Sequence, residues 1–144
     1  MKVSSRTQLG LQILCYLTLR YGGDPVQTSE LAAVTGTTEK YIGQIMLTLR
    51  ASPLVLSSRG AQGGYYLSRS PGEISLLEAV QALEGEILEF EAPSGSQAQE
   101  VLDRALEIIR NLLQTSLVKV LESRTLEDLA RESQHFLGFS DWVI

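Results

Sequence analysis

Apolar residues recur every three to four positions through the first fifty residues, the spacing of helices that bury one face. The pattern predicts three helices, over residues 5–21, 30–34 and 39–49. Thr35-Gly36-Thr37 separates the second helix from the third and contains the glycine common in helix-turn-helix units. Val34, near the end of the second helix, is predicted to point inward.

The periodicity changes after Pro53, where two short β-type runs flank a glycine-rich tip. The runs are residues 55–58 and 65–67, and the tip between them carries Arg59, Gly60, Gly63 and Gly64. Because glycines allow a tight turn, the pattern predicts a hairpin with a cationic tip. A hairpin after three helices is typical of a winged helix-turn-helix.

The longest apolar pattern lies in residues 96–121, after a short helix that opens with the capping box at Ser75 and Glu78 and ends at Gly85. One stripe consists of Leu102, Leu106, Ile109, Leu113, Leu117 and Val120. An adjacent stripe consists of Val101, Ala105, Ile108 and Leu112. Two stripes need two partners, so we expect one to pack on the chain's own domain and the other on the same helix of a second chain. The alternative is a buried central helix of a monomer.

These elements predict a mainly α fold with one small β hairpin. We expect a winged helix-turn-helix domain over residues 1–85, a linker and dimerisation helices over residues 86–134, and an apolar tail over residues 135–144. Thr125 is predicted to cap the last helix. The tail either folds back onto the dimer or docks as a peptide into another protein. The candidate docking residues are Asp141, Trp142, Val143 and Ile144.

The net charge of −5 hides an asymmetry between the two halves of the chain. Residues 1–70 carry seven basic and three acidic side chains, whereas residues 71–144 carry five basic and fourteen acidic ones. A basic half can bind phosphates while the acidic half faces away, which permits nucleic-acid binding. No apolar run is long enough to cross a membrane, and the start does not match a signal peptide, so we expect a cytoplasmic protein.

The polar face of the third helix is the candidate reader of DNA. It carries Thr38, Lys40, Gly43, Gln44 and Thr48, which are short or hydrogen-bonding residues suited to base edges and phosphates. The alternative is an ordinary solvated helix face. Arg59 at the hairpin tip suits a narrow minor groove, and its alternative role is a surface arginine without a partner.

Several stretches resemble the Rrf2 family of bacterial winged-helix regulators, and the likeness covers nearly the whole chain. They include Tyr41-Ile42-Gly43-Gln44-Ile45, Leu49-Arg50, Ser58-Arg59-Gly60-Ala61-Gln62-Gly63-Gly64-Tyr65, Ala82-Leu83-Glu84-Gly85 and Thr125-Leu126-Glu127-Asp128-Leu129. The resemblance implies a homodimer that contacts double-stranded DNA through Thr38, Lys40, Tyr41, Gln44 and Arg59. We extend the predicted interface to Arg50, Gly60, Gly63 and Gly64.

Many members of this family hold an iron–sulfur cluster with three cysteines just after the fourth helix. Residues 85–96 of this chain contain no cysteine, and the only cysteine is Cys15 on the first helix. Because such clusters depend on thiolate ligands, we predict no cofactor and no metal site. Cys15 is expected to be a buried, inert core residue.

Cluster-free members include a repressor type that controls cysteine metabolism through a complex with cysteine synthase. The tail of this chain resembles the C-terminal peptides, ending in isoleucine, by which serine acetyltransferases bind that enzyme. We therefore predict a dimeric repressor of cysteine or sulfur metabolism genes that binds an imperfect palindrome. Cysteine synthase is the expected partner, and O-acetylserine the metabolite that dissolves the complex.

Two other functions stay open on the sequence. One is a cluster-free regulator of iron, redox or nitric-oxide responses. The other is a regulatory subunit that binds a metabolic enzyme without DNA. We do not expect an enzyme, because no Ser/His/Asp, Cys/His or metal-binding set of residues can be assembled from the sequence.

Overall fold

The computed structural model describes residues 2–90 and 97–136. The helices are α1 (Ser5–Leu19), α2 (Thr28–Thr35), α3 (Glu39–Ala51), α4 (Leu76–Glu84), α5 (Gln97–Glu122) and α6 (Leu126–Phe136). Strands β1 (Val55–Ser58) and β2 (Gly64–Leu67) form an antiparallel hairpin, which we call the wing together with its tip at residues 59–63. A short 3-10 turn, Pro71–Glu73, precedes α4. The predicted mainly α fold with a winged helix-turn-helix is confirmed.

Hydroxyl side chains fix where most of these helices begin. The Thr38 Oγ1 accepts a hydrogen bond of 3.2 Å from the Tyr41 backbone N–H, and Ser4 caps α1 in the same way. Ser75 and Glu78 form the predicted capping box of α4. A capping hydroxyl contributes about 1 kcal/mol by satisfying a helix N–H that has no other partner.

Three predicted helix boundaries were wrong by two residues, including the end of the third helix, which is Ala51 rather than residue 49. The first helix ends at Leu19 rather than at residue 21, because the turn through Gly22 (φ +85°) follows at once. The second begins at Thr28, two residues before the predicted start, and its N-cap residue Gln27 makes no capping side-chain hydrogen bond. The turn into α3 uses Gly36 at φ +68°, a conformation that glycine adopts without strain.

The core is aliphatic and is formed by α1, α2, α3, α4, α6 and the wing. Its fully buried members include Ile13, Leu14, Leu17, Ile42, Ile45, Met46, Leu49 and Leu126. Val34 was predicted to be buried but is 50% exposed. The two-turn helix α2 buries only Leu31 and Ala32, and helical geometry places Val34 about 110° away from their direction.

Helix α5 is the longest element, and one of its predicted contacts was wrong. We expected the chain's own domain to cover one apolar stripe, but most of both stripes is exposed, including Val101 (73%) and Leu112 (64%). Helix α5 packs on α4, where Gln81 of α4 shares a depression with Arg110, Asn111 and Gln114 of α5. After α5 ends, the Arg124 carbonyl accepts a hydrogen bond of 2.8 Å from the Leu76 N–H. The first half of α5 carries its large apolar side chains outward, including Leu102 and Ile108.

Helix α6 returns to the body of the fold. Its Leu126 N–H donates to the Ile74 carbonyl over 3.0 Å, and the Leu126 side chain lies in the same core as α1. The division of the chain at residue 85 stays a prediction. None of the described helices is long and apolar enough to cross a membrane. The predicted docking residues Asp141, Trp142, Val143 and Ile144 lie outside the described residues.

Candidate DNA interface

The outward face of α3 is the centre of the candidate interface. Burial of Ile42, Ile45, Met46 and Leu49 orients the helix and turns the opposite side to solvent. Lys40 and Gln44 are exposed there, as predicted, with Gly43 and Thr48 half-buried at the edges. Leu47 shares this face and is 69% exposed, although it was not among the predicted interface residues.

A shallow cleft of about 460 Å³ lies between the start of α1 and this face of α3. Its lining consists of Arg6, Tyr41, Gln44, Leu47 and Thr48. The Arg6 guanidinium donates a hydrogen bond to the Thr48 hydroxyl, which holds a cation at the rim of the cleft. The predicted residues Tyr41 and Gln44 are therefore joined by Arg6 and Leu47, which sequence reasoning missed.

The tip of the wing depends on the predicted glycines for its shape. Gly60 has φ +98°, and the Gly63 N–H closes the turn by donating to the Gly60 carbonyl over 3.0 Å. A Cβ atom on Gly63 would lie 2.3 Å from the Ser58 carbonyl oxygen. The glycines thus shape the loop that presents Arg59, which is exposed at its start.

The wing is also anchored to the connection between α1 and α2. Val26 and Tyr65 exchange two backbone hydrogen bonds of 2.9 Å, and a Cβ on Gly64 would lie 2.5 Å from the Val26 carbonyl oxygen. At the tip, the Gln27 Nε2 donates to the Ala61 carbonyl over 2.8 Å. The position of the tip is therefore fixed relative to the helix-turn-helix.

The basic side chains of the first seventy residues fall into two groups. Arg20 pairs with Glu30, and Arg69 pairs with Glu78 over 2.5 Å. The others form no ion pair with any residue in the described part of the chain: Lys2, Arg6, Lys40, Arg50 and Arg59. These five cations outnumber the two acids of the same region that form no ion pair with a described residue, Asp24 and Glu39, so the region has a net positive charge suited to phosphates.

The iron–sulfur cluster that the family resemblance suggests does not fit the residues after α4. A depression of about 320 Å³ lies between α4 and α5, lined by Gln81, Gly85, Glu86, Ile87, Leu88, Arg110, Asn111 and Gln114. Amides and a guanidinium are not cluster ligands, and no thiolate is present. Among the described residues, no three His, Cys, Asp or Glu side chains come together to hold a metal ion.

Cys15 cannot supply the missing ligands, because it lies on α1 beside Ser133 of α6. It is half-buried rather than buried as predicted. Burial raises the pKa of the Cys15 thiol, and a hydrogen bond with Ser133 only partly offsets this. A thiol with a raised pKa is mostly protonated at neutral pH, which makes it a weak metal ligand.

The family resemblance is confirmed by comparison with known proteins. The Rrf2 family, described as iron-dependent transcriptional regulators, matches residues 3–132. The chain is 34% identical over 135 residues to the HTH-type transcriptional regulator CymR of Bacillus subtilis, covering 90% of each chain.

Comparison with solved structures supports the same family. The structure of CymR, the global cysteine regulator of B. subtilis, superimposes with a TM-score of 0.75 at 32% identity and covers 92% of this chain and 98% of that one. IscR of T. potens gives a TM-score of 0.70 at 32% identity, over 94% and 90% of the two chains. On this evidence the chain belongs to the Rrf2 family and is a winged-helix transcriptional regulator.

Proposed function

We propose that the chain acts as a homodimer, binds an imperfect palindrome in promoters, and represses genes of cysteine or sulfur metabolism. The observation that carries the DNA-binding part is the set of unpaired cations on α3 and the wing. Lys40 and Gln44 share the exposed face of α3, and Arg59 stands at the anchored wing tip. This arrangement suits a helix in the major groove and an arginine in the adjacent minor groove.

The exposed stripes of α5 support the homodimer. Leu102 (61%) and Val120 (61%) lie near opposite ends of the helix, and Leu106 and Ile109 are also exposed between them. Exposed apolar faces of this length are typical of association surfaces rather than of a monomer. A second copy of α5 offers a matching face, and a two-fold dimer presents two reading heads to two half-sites.

The similarity to CymR supports the choice of genes. That protein is called the global cysteine regulator of B. subtilis, and it matches this chain along almost its whole length. The absence of thiolate ligands after α4 favours regulation by something other than a cluster. We therefore propose control by complex formation with cysteine synthase.

The C-terminal residues Asp141, Trp142, Val143 and Ile144 are the proposed docking peptide. A free carboxylate next to branched apolar side chains can occupy a site built for an amino-acid substrate. O-Acetylserine, a substrate of that enzyme, would then compete with the tail. We propose no catalytic role for the chain, and its relatives are transcriptional regulators.

The proposal is tested by affinity capture from native cells combined with chromatin immunoprecipitation. We expect the full chain to capture cysteine synthase without O-acetylserine, to release it when O-acetylserine is added, and to occupy promoters of sulfur genes. A chain lacking Ile144 should occupy the same promoters but capture no enzyme. Capture of a metabolic enzyme without any promoter occupancy would instead support a regulatory subunit that does not act on DNA.

The second candidate is a regulator of iron, redox or nitric-oxide responses. The description of the matching family as iron-dependent transcriptional regulators favours it. It needs no cluster, in agreement with the lack of cysteine in residues 85–96. Occupancy of iron- or redox-response promoters that changes with iron or nitric oxide, without occupancy of sulfur-gene promoters, would support this candidate and contradict the one above.

A further inference from the structure

Leu47 is the most exposed large apolar side chain in residues 2–90, at 69%. A scattered surface leucine needs no explanation, but this one stands in the middle of a polar face. It follows Gln44 by three residues and Lys40 by seven, so the three side chains form one row along the outside of α3. The row is the part of the helix that faces away from the protein core.

The surroundings of Leu47 form a site of mixed chemistry. The cleft places its apolar side chain beside the Gln44 amide, with Arg6 held at the rim by Thr48. Gly43, one turn earlier, leaves open space, since a Cβ there would meet no atom within 4 Å. A partner can therefore approach the helix closely next to Leu47, meeting an apolar floor with a cation at its edge.

Resting on the proposed DNA binding, we propose that this cleft receives a thymine from the major groove. Its C5-methyl group packs on Leu47, and Arg6 contacts a phosphate next to it. Thymine is the only base that presents a methyl group in that groove. Every base presents a polar group in that groove, including the thymine O4, so the methyl group is what distinguishes thymine beside an apolar side chain.

The test removes each side of the proposed contact separately: the thymine C5-methyl group by deoxyuridine, and the Leu47 side chain by alanine. Duplexes that bind the full wild-type chain are selected from a random pool, and each thymine of the selected site is replaced in turn by deoxyuridine. At one thymine per half-site, we expect this change to weaken wild-type binding by about fourfold, the value of one buried methyl group. The same replacement should leave the affinity of Leu47→Ala unchanged.

Val34→Ala is the matched control, because it also truncates an exposed apolar side chain, which lies on α2. It should keep the full response to deoxyuridine. Arg6→Ala should weaken thymine and uracil sites equally and lower the slope of log affinity against log salt by about 0.9, as expected for one phosphate contact.

The experiment distinguishes failure of the proposed DNA binding from failure of the thymine contact alone. If the pool yields no enriched sequence, the proposed DNA binding fails and the thymine contact fails with it. If sequences are enriched but every deoxyuridine substitution affects wild type and Leu47→Ala equally, only the thymine contact is overturned.

Discussion

The Gln27 side chain at the start of α2 holds the tip of the wing by donating to the Ala61 carbonyl over 2.8 Å. The two residues are 34 positions apart in the chain, and the contact joins the helix-turn-helix to the hairpin loop that carries Arg59. With the Val26–Tyr65 backbone pair, it fixes where the wing arginine stands relative to α3. Helix α3 and the tip of the wing are therefore held in a fixed relative position.

Replacing Gln27 with alanine should loosen the tip without unfolding the protein. The lost hydrogen bond is exposed, so we expect a change in stability below about 1 kcal/mol. Hydrogen exchange of the backbone amides at residues 61–64 should become faster, and DNA affinity should fall because the tip must be ordered on binding. Gln8→Ala is the control, since it removes a similar bond of 3.0 Å to the Val3 carbonyl, away from the wing. Unchanged exchange at the tip in Gln27→Ala would contradict this role.

Gly43 and Gly10 should respond in opposite ways to alanine. Gly43 lies in α3 with free space around it, so alanine should raise the free energy of unfolding by about 0.5–1 kcal/mol through its higher helix propensity. The same change should weaken DNA binding, because a methyl group would stand between the helix and the duplex. Gly43→Ala that is more stable and binds DNA as well as wild type would argue against close approach at this point.

At Gly10 of α1, a Cβ would lie 2.3 Å from the Leu83 Cδ2 atom of α4. Gly10→Ala should therefore lower the free energy of unfolding by roughly 1–3 kcal/mol, as overpacking does. Chemical denaturation of both variants measures whether each substitution raises or lowers the free energy of unfolding. Stabilisation by Gly10→Ala would show that α1 and α4 do not pack as closely as described.

Glu84 should make stability depend on pH in the acidic range. Hydrogen bonds with the Thr7 side chain and the Ser4 backbone lower the pKa of the Glu84 carboxyl. A group whose pKa is lower in the folded state contributes stability above its unfolded pKa, near 4.3, and loses that contribution as the pH falls through the folded value. Glu84→Gln should be less stable than wild type at pH 7, and the difference should shrink below about pH 4. A difference that stays constant from pH 7 to pH 3 would contradict the assignment.

A charge in the first apolar stripe of α5 should separate the proposed dimer. Leu106 is 51% exposed and lies in the middle of the stripe, so Leu106→Glu should leave the fold intact and give a monomer in sedimentation velocity. DNA affinity should fall with it, because two half-sites would be bound separately. Val34→Glu adds the same charge at an exposed apolar position outside α5 and should stay dimeric. A dimeric Leu106→Glu would place the association surface elsewhere.

Local sequence patterns were enough to predict the elements of this fold. Several sequence signals lie within a few residues of the feature they specify. They are the capping hydroxyls of Thr38 and Ser75, the capping box with Glu78, and the glycines of the wing. The structure departs from the prediction where short helices leave the buried direction ambiguous. Val34 in the two-turn helix α2 is the clearest case.

The candidate site was only partly predictable, because one of its residues is placed by another part of the chain and a second is an apolar side chain on a polar helix face. Arg6 reaches Thr48 across 42 residues, and no local pattern connects them. Leu47 lies at helical spacing from Lys40 and Gln44 and could have been predicted. It was left out because only polar residues of that face were selected as candidates. The apolar stripes of α5 likewise predict an association surface but do not specify which surface covers it.

Helix α3 and the wing are proposed to bind DNA together, and the salt dependence of binding measures the contribution of the wing. Binding of wild type and Arg59→Ala to a sulfur-gene promoter fragment is measured over a series of salt concentrations. We expect wild type to bind with a steep negative slope of log affinity against log salt. Arg59→Ala should bind more weakly with a shallower slope, because one cationic contact to the duplex is lost. Equal affinities and slopes for the two proteins, or no binding by either, would contradict the claim.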